Sequence, residues 1–435
     1  MKKLLPLFIS AALGSLSTSA WADTLADIYN QAKDNDPKLL SAAATRDQAF
    51  EAINSSRASL LPQIALTAGY DVNRGEIDNR DNDSDGWKAG INFTQELYNR
   101  SSWITLDTAE KGARQADAAY AAVQQALILR VSQAYFDVLR AQDNLVFVQA
   151  EKAAVGRQLE QTKQRFEVGL SAITDVHDAQ AQYDAVLADE VLAQNSLVNS
   201  YEGLREITGQ AHANLDVLDT ARFSASKTAA TIDSLLSEAQ QKNLSLLSAR
   251  ISQDIAKDNI SNASSGHLPT LNLKGGYKLT DMDIESGNTE TDNLNLGIQL
   301  DVPLYTGGSV TSATKQAEFG YVAASQDLEE TYRGVVKDVR AFNNNINASI
   351  GALRAYEQTV ISAQSALEAT EAGFDVGTRT IVDVLDSTRR LYDANKNLSN
   401  ARYDYILSEL QLRQAVGTLS EQDIVDINAG LKPAK

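Results

Sequence analysis

Two long segments of this chain repeat one another at an offset of 207 or 208 positions, and that duplication constrains the fold more than any other feature. TLADIYNQAKDN, from Thr24 to Asn35, has its counterpart in TIDSLLSEAQQK, from Thr231 to Lys242. Leu61-Pro62 recurs as Leu268-Pro269, Tyr70 as Tyr277, Leu97-Tyr98 as Leu304-Tyr305, Phe166 as Phe374 and Gly209 as Gly417. FEVGLSAITDVHDAQAQYD, beginning at Phe166, shares the outline of FDVGTRTIVDVLDSTRRLYD, beginning at Phe374. Repetition on this scale implies repeated structure. The chain therefore divides into a first copy at residues 23–209, a linker at 210–230, a second copy at 231–417 and a C-terminal tail at 418–435.

Proline divides each copy further, because it breaks helix interiors and removes a donor from any sheet ladder. Beyond residue 22 it stands only at positions 37, 62, 269, 303 and 433, leaving 63–268 and 304–432 free of it. After Pro62 and Pro269 the pattern has period two. Ile64, Leu66, Ala68, Tyr70 and Val72 alternate with Gln63, Ala65, Thr67, Gly69 and Asp71; Leu271, Leu273, Tyr277 and Leu279 alternate with polar or small residues in the same way. Two further alternating runs follow, Trp87 to Phe93 and Leu294 to Val302. The spacing predicts one β-hairpin per copy, at about 63–98 and 270–305, with polar loops at 73–86 and 281–293.

Strands of about 10 residues with one apolar face match a tilted strand crossing a bilayer ~30 Å thick, although a half-buried sheet in a soluble protein has the same alternation. Four strands cannot close a barrel. A membrane reading requires at least two chains to share one.

Beyond each hairpin the period changes. Val339, Ile346, Leu353, Val360, Leu367 and Phe374 recur every seven residues, with a second seam through Phe342, Tyr356 and Ala363. The first copy repeats this at Val131, Val138, Leu145, Leu159 and Phe166, interrupted by Lys152. Sustained heptads predict coiled coil. A helix from about Trp103 to Phe166 would extend ~95 Å, which no compact domain accommodates. Both runs end in Val-Gly (Val168-Gly169 and Val376-Gly377), where a tight helix-helix turn is expected.

The beginning of the chain supplies the compartment. Lys2 and Lys3, an apolar run from Leu4 to Leu16 and Ala20-Trp21-Ala22 read as a signal peptide over residues 1–22. Without it, 37 basic residues face 57 acidic ones, a net charge of -20 that disfavours nucleic-acid binding. The absence of cysteine excludes disulfides and thiolate chemistry, and the three histidines (His177, His212, His267) stand far apart. No hydrolase or phosphate-binding motif occurs, so no enzyme, metal or cofactor is expected.

LLP at 60–62, HLPTLNL at 267–273, PLYTGG at 303–308, RFEVGLSAITDV at 165–176 and VGTRTIVDVLD at 376–386 follow one another as in TolC-type outer-membrane efflux ducts, and the resemblance covers nearly the whole chain. It implies an α+β membrane fold. In a homotrimer, four strands per chain would form a 12-stranded barrel, continued by a long α-helical coiled-coil tunnel into the periplasm. It also implies a passive channel in the outer membrane of a Gram-negative bacterium, serving multidrug efflux and type I secretion. Its partners would be outer-membrane lipid, a periplasmic adaptor (membrane fusion) protein and an inner-membrane transporter of RND, ABC or MFS type.

The tips carry the residues of interest. Asp383 and Asp386 are three apart on a helix, and three-fold symmetry would gather six carboxylates. At ~6 Å and an effective dielectric of ~20, each like-charge pair costs roughly 2 to 3 kcal/mol before screening, so such a ring resists closure and prefers cations. The plainer possibility is a solvated helix face on which Asp386 pairs Arg390 at i+4. By the resemblance, Asp383 and Asp386 form the periplasmic constriction, and Arg379 latches it through Thr174 and Asp175. Phe374 occupies the position of a latch tyrosine and cannot supply its hydroxyl. His177 is either a solvated tip residue or a modest source of pH dependence. Val168, Gly169, Leu170, Ser171, Val376, Gly377 and Thr378 would receive the adaptor. The alternative function is a non-conducting coiled-coil protein of the envelope with a structural or surface-recognition role.

Overall fold

The computed structural model describes residues 23–77, 80–81, 83–284 and 287–433; the stretch read as a signal peptide lies outside the described residues. The first helix of the described residues is α1 (Leu25–Asn35), whose N-terminal donors are satisfied reciprocally: Asp27 N–H donates to the Thr24 hydroxyl, and Thr24 N–H donates to the Asp27 carboxylate. Asp36 caps α2 (Pro37–Ala58) by accepting from Leu39 N–H at 2.9 Å, and proline occupies the first helical position, where its missing donor costs nothing.

Pro62 then releases the chain into β1 (Gln63–Asn73). A short ladder of β2 (Glu76–Ile77) and β3 (Arg80–Asp81) leads to β4 (Ser84–Tyr98). The 68-residue α3 (Arg100–Glu167) extends ~102 Å at ~1.5 Å per residue, and α4 (Ile173–Thr208) folds back along it. After β5 (Val217–Leu218) the same order of elements returns. α5 (Ile232–Lys242) and α6 (Leu244–Ser264) precede β6 (Thr270–Ile284) and β7 (Gly287–Asp301); the 67-residue α7 (Ser309–Asp375) and α8 (Ile381–Val416) follow. α9 (Glu421–Asn428) and β8 (Leu431–Lys432) end the described chain.

The long strands form one antiparallel sheet in the order β1-β4-β6-β7, with a register shift between Glu96 and Tyr98. Its register assembles a continuous apolar face. Ile64, Phe93, Gly275 and Leu296 make one row across the four strands, and Leu66, Ile91, Tyr277 and Leu294 the next. Thr94, Lys274, Asn92 and Asn295 occupy the opposite face. The apolar rows are left bare: Leu66, Leu294 and Leu296 are about three-quarters exposed. The stretch 281–293, expected as a loop, is instead mostly ladder, running from Asp281↔Glu290 to Ile284↔Gly287. Polar residues can extend a hairpin past its apolar band because the ladder bonds backbone to backbone, whatever the side chain.

Among the described residues no helix is long and apolar enough to cross a membrane. The helical core lies instead where α1, α5 and α9 surround the middle of α3, α7 and α8, burying Leu25, Ile28, Tyr135, Phe136, Val339 and Tyr403. The Tyr135 hydroxyl donates to the carbonyl of Asp216 at 2.6 Å. In the same region β5 pairs with β8, so residues 210–230 meet residues 418–435, and Lys432 reaches Asp219 at 3.2 Å. Towards the tips only the coiled-coil pairs α3/α4 and α7/α8 remain. Of the heptad seam, Val339, Ile346 and Leu353 are buried in the helical core, and Leu367 in the α7/α8 pair nearer the tip. Lys152, which interrupts the other seam, bonds Glu190 of α4 at 2.6 Å.

Candidate functional site

The two tips are built alike. At the first, Gly169 N–H donates to the carbonyl of Phe166 and Leu170 N–H to that of Arg165. At the second, Gly377 N–H donates to Phe374 and Thr378 N–H to Gly373. These paired bonds form a Schellman turn, which needs a residue with positive φ after the C-cap, and Gly169 (80°) and Gly377 (79°) supply it. The turns thrust Val168, Leu170 and Val376 outward, each at least 69% exposed. Ser171 turns back instead, donating to the Asp175 carboxylate at 2.7 Å.

Asp175 and Asp383, equivalent in the two copies, both serve first as helix caps. The Asp175 carboxylate accepts from Ala172 N–H at 3.1 Å. That of Asp383 accepts from Thr380 N–H at 2.9 Å and from the Thr380 hydroxyl at 2.8 Å. The Thr380 amide, its hydroxyl and then the Arg379 guanidinium hold the Asp383 carboxyl below the usual carboxylate range. One turn on, Asp386 pairs with Arg390 at 2.6 Å and with Arg389 at 3.4 Å. A groove of about 450 Å³ between α4 and α8 brings Asp178, Asp383 and Asp386 together with Arg389.

Arg379 and the Thr174–Asp175 pair do not meet: among the described residues, neither Thr174 nor Asp175 bonds the Arg379 side chain. The Arg379 stem lies over Gly373 instead, where an added Cβ would stand 2.7 Å from Arg379 Cγ. A different arginine joins the hairpins within this chain. Arg165 of α3 lays its guanidinium over the Phe374 ring of α7, 4.5 Å from the centroid, and approaches the Asp375 carboxylate at 3.9 Å. Phe374 also packs into the apolar clusters between the hairpins, beside Leu159, Ile381 and Leu385. The exposed His177 makes no hydrogen bond or ion pair among the described residues.

Sequence reasoning missed Arg165, yet the repeat contains a signal for it. Position 165 corresponds to Gly373 in the second copy, and Arg379 corresponds to Ser171 in the first. Each turn thus has one arginine beside its glycine, before the turn in one copy and after it in the other, and the glycine at 373 makes room for the second.

A bare apolar sheet joined to ~100 Å helices with charged tips fits a membrane channel with a long helical extension. The family model for outer membrane efflux proteins matches residues 28–210 and 235–418, and the chain belongs to that family, an outer-membrane channel for efflux and type I secretion. It is 74% identical to the outer membrane protein TolC of Vibrio cholerae, over the full length of both chains. It is 29% identical to the alkaline protease secretion protein AprF of Pseudomonas aeruginosa, over 98% of this chain and 90% of that one. Among solved structures, the Campylobacter jejuni CmeC outer membrane channel superposes with a TM-score of 0.78 at 16% identity, over 99% of this chain and 98% of that one.

Proposed function

We propose that this outer-membrane efflux and secretion channel works as a homotrimeric passive conduit, gated at its periplasmic tips. The observation that carries the reading is the sheet. It presents a continuous apolar face, its edge strands β1 and β7 have no further partner among the described residues, and four strands are too few to close. Three copies joined edge to edge give twelve strands, which both covers the edges and turns the apolar rows towards lipid. The common element order of residues 23–209 and 231–417 supports reading them as two copies, with 210–230 as the connection and 418–435 as the tail. The non-conducting alternative gives this sheet no role.

In this reading Asp383 and Asp386 line the constriction. Arg379, Thr174, Asp175 and Phe374 belong to the contacts that change when it opens. Val168, Gly169, Leu170, Ser171, Val376, Gly377 and Thr378 dock a periplasmic adaptor, whose inner-membrane transporter of RND, ABC or MFS type supplies the energy. The exposure of Val168, Leu170 and Val376 supports the docking assignment, because apolar side chains held out beside a tight glycine turn allow close helix approach.

The purified protein in planar bilayers tests the function. The expected result is a heat-sensitive trimer with a small conductance; a buffer-soluble monomer that never conducts would sink it. The lack of cysteine lets Leu170→Cys be cross-linked cleanly to an adaptor hairpin, and no adduct would remove the docking assignment.

A further inference from the structure

The tip of α8 is not acidic. Between Arg379 and Arg390 the charged residues are two aspartates, Asp383 and Asp386, and three arginines, Arg379, Arg389 and Arg390, a net of one positive charge per chain. Two of those arginines sit on Asp386 itself, Arg390 through one carboxylate oxygen at 2.6 Å and Arg389 through the other at 3.4 Å. Arg389 is also the only basic side chain lining the groove that holds Asp178, Asp383 and Asp386, among the described residues. A ring of carboxylates draws cations by the potential it projects into the pore, and the two guanidinium groups on Asp386 offset the potential of that carboxylate at distances longer than the pairs' own separation.

We propose that Arg389 and Arg390 are selectivity-determining residues of this channel, offsetting Asp386 so that the constriction discriminates less between cations and anions than two bare carboxylates per chain would. The proposal rests on the gate assignment above and changes what that gate does. A bare ring of six aspartates resists closure and filters for cations. A ring in which every Asp386 carries two arginines narrows against less repulsion and is less hostile to acidic cargo. The pairs are local, at i+3 and i+4 on one helix, so they persist whether the hairpins are together or apart. Arg389 also lines a second groove, of about 500 Å³, with Glu151, Asp189 and Asp393, which places it between the gate and the seam joining α3 to α8.

Reversal potentials of the full-length protein in a KCl gradient decide the question. Wild type is expected to discriminate weakly between K⁺ and Cl⁻. Arg389→Gln/Arg390→Gln should raise the cation-to-anion permeability ratio by roughly tenfold. Adding Asp386→Asn should return it towards the wild-type value, and Arg389→Lys/Arg390→Lys, which keeps the charge, should leave it unchanged. Arg390 is 73% exposed, so Arg390→Gln alone perturbs no packing and should shift the ratio the same way if the double variant does not assemble. Wild-type channels that are already strongly cation-selective, or a ratio that does not move when the arginines go, overturn the proposal while leaving the channel intact. A wild-type protein that never conducts overturns the gate reading, and this proposal with it.

Discussion

Removing the Arg165 guanidinium should loosen the join between the two hairpins, and the structure sets the size of the effect. The ring stack at 4.5 Å lies near the surface, where a cation–π contact contributes about 0.5–1 kcal/mol. The ion pair to Asp375 is long, at 3.9 Å, and its carboxylate is mostly exposed, so it adds no more than about 0.3 kcal/mol. The sum is about 1 kcal/mol per chain, or roughly fivefold in an equilibrium between joined and separated hairpins. In a trimer that opens in one step, three such contacts amount to about 3 kcal/mol, on the order of 100-fold.

Arg165→Gln keeps most of the aliphatic stem and deletes the charge, which limits the change to these two contacts. Single-channel recording measures the open fraction directly. The variant should open far more often than wild type, and Phe374→Leu should do the same. The double variant should show little beyond either one, giving a coupling of about 0.5–1 kcal/mol per chain. Phe374→Tyr retains the ring and should keep the coupling. If Arg165→Gln opens no more often than wild type, or the two changes add without coupling, the stack is incidental to gating.

Other consequences are equally open to measurement. Burial, then Asp393 and Asp189, push the Glu151 carboxyl up to about 7, against partial relief from Arg389 and Lys396. Because the folded value lies above the ordinary one, this carboxyl binds a proton in the folded seam that the unfolded chain has released. Its contribution to stability is complete below about 4.5 and is lost as pH rises to about 7. Thermal midpoints of wild type should therefore fall relative to those of Glu151→Gln between pH 5 and 7.5, and parallel curves would count against the assignment. Gly417 ends α8 at φ 86°, and an added Cβ would stand 2.3 Å from the carbonyl oxygen of Lys242 and 2.8 Å from Asn243 Cα. Gly417→Ala should thus combine about 1–3 kcal/mol of backbone strain with a clash that only backbone movement relieves. Gly209→Ala has the strain (φ 71°) but only an ordinary contact at 4.0 Å, so its midpoint should drop less; equal drops would show that the clash is absorbed.

The parts legible in the sequence are those where one physical pattern runs uninterrupted. Alternation from Ile64 to Val72 requires a strand with unlike faces, and the heptads through Val339 and Ile346 require a paired helix; α7 runs on for 67 residues because no proline interrupts it. The Asp386–Arg390 pair was legible too, since i and i+4 meet on any helix. What escaped depends on the relation between elements. β5 and β8 are two residues each, too short to alternate, and they meet across more than 200 positions. Glu151 occupies an unremarkable place beside the interrupted heptad, and only the arrival of α4 and α8 half-buries it. Arg165 lies more than 200 positions from Phe374, and no spacing rule connects residues on different hairpins.

The exchange of arginines between the copies gives the tips different mechanical roles. In the first copy Arg165 precedes the turn, on the helix face towards α7, so it reaches across to the other hairpin. In the second, Arg379 follows the turn, and its stem covers Gly373, within its own hairpin. A strictly repeated tip could not do both. Two arginines at the earlier position would leave the second turn without the Arg379 stem that now covers Gly373. Two arginines at the later position would leave the Phe374 ring without its cation. The duplication supplies two hairpins of nearly equal length and matching turns, and the displaced arginine joins one of them to the other. In the proposed gate, that asymmetry leaves Arg165 of the first hairpin as the contact that a partner at the tips would release.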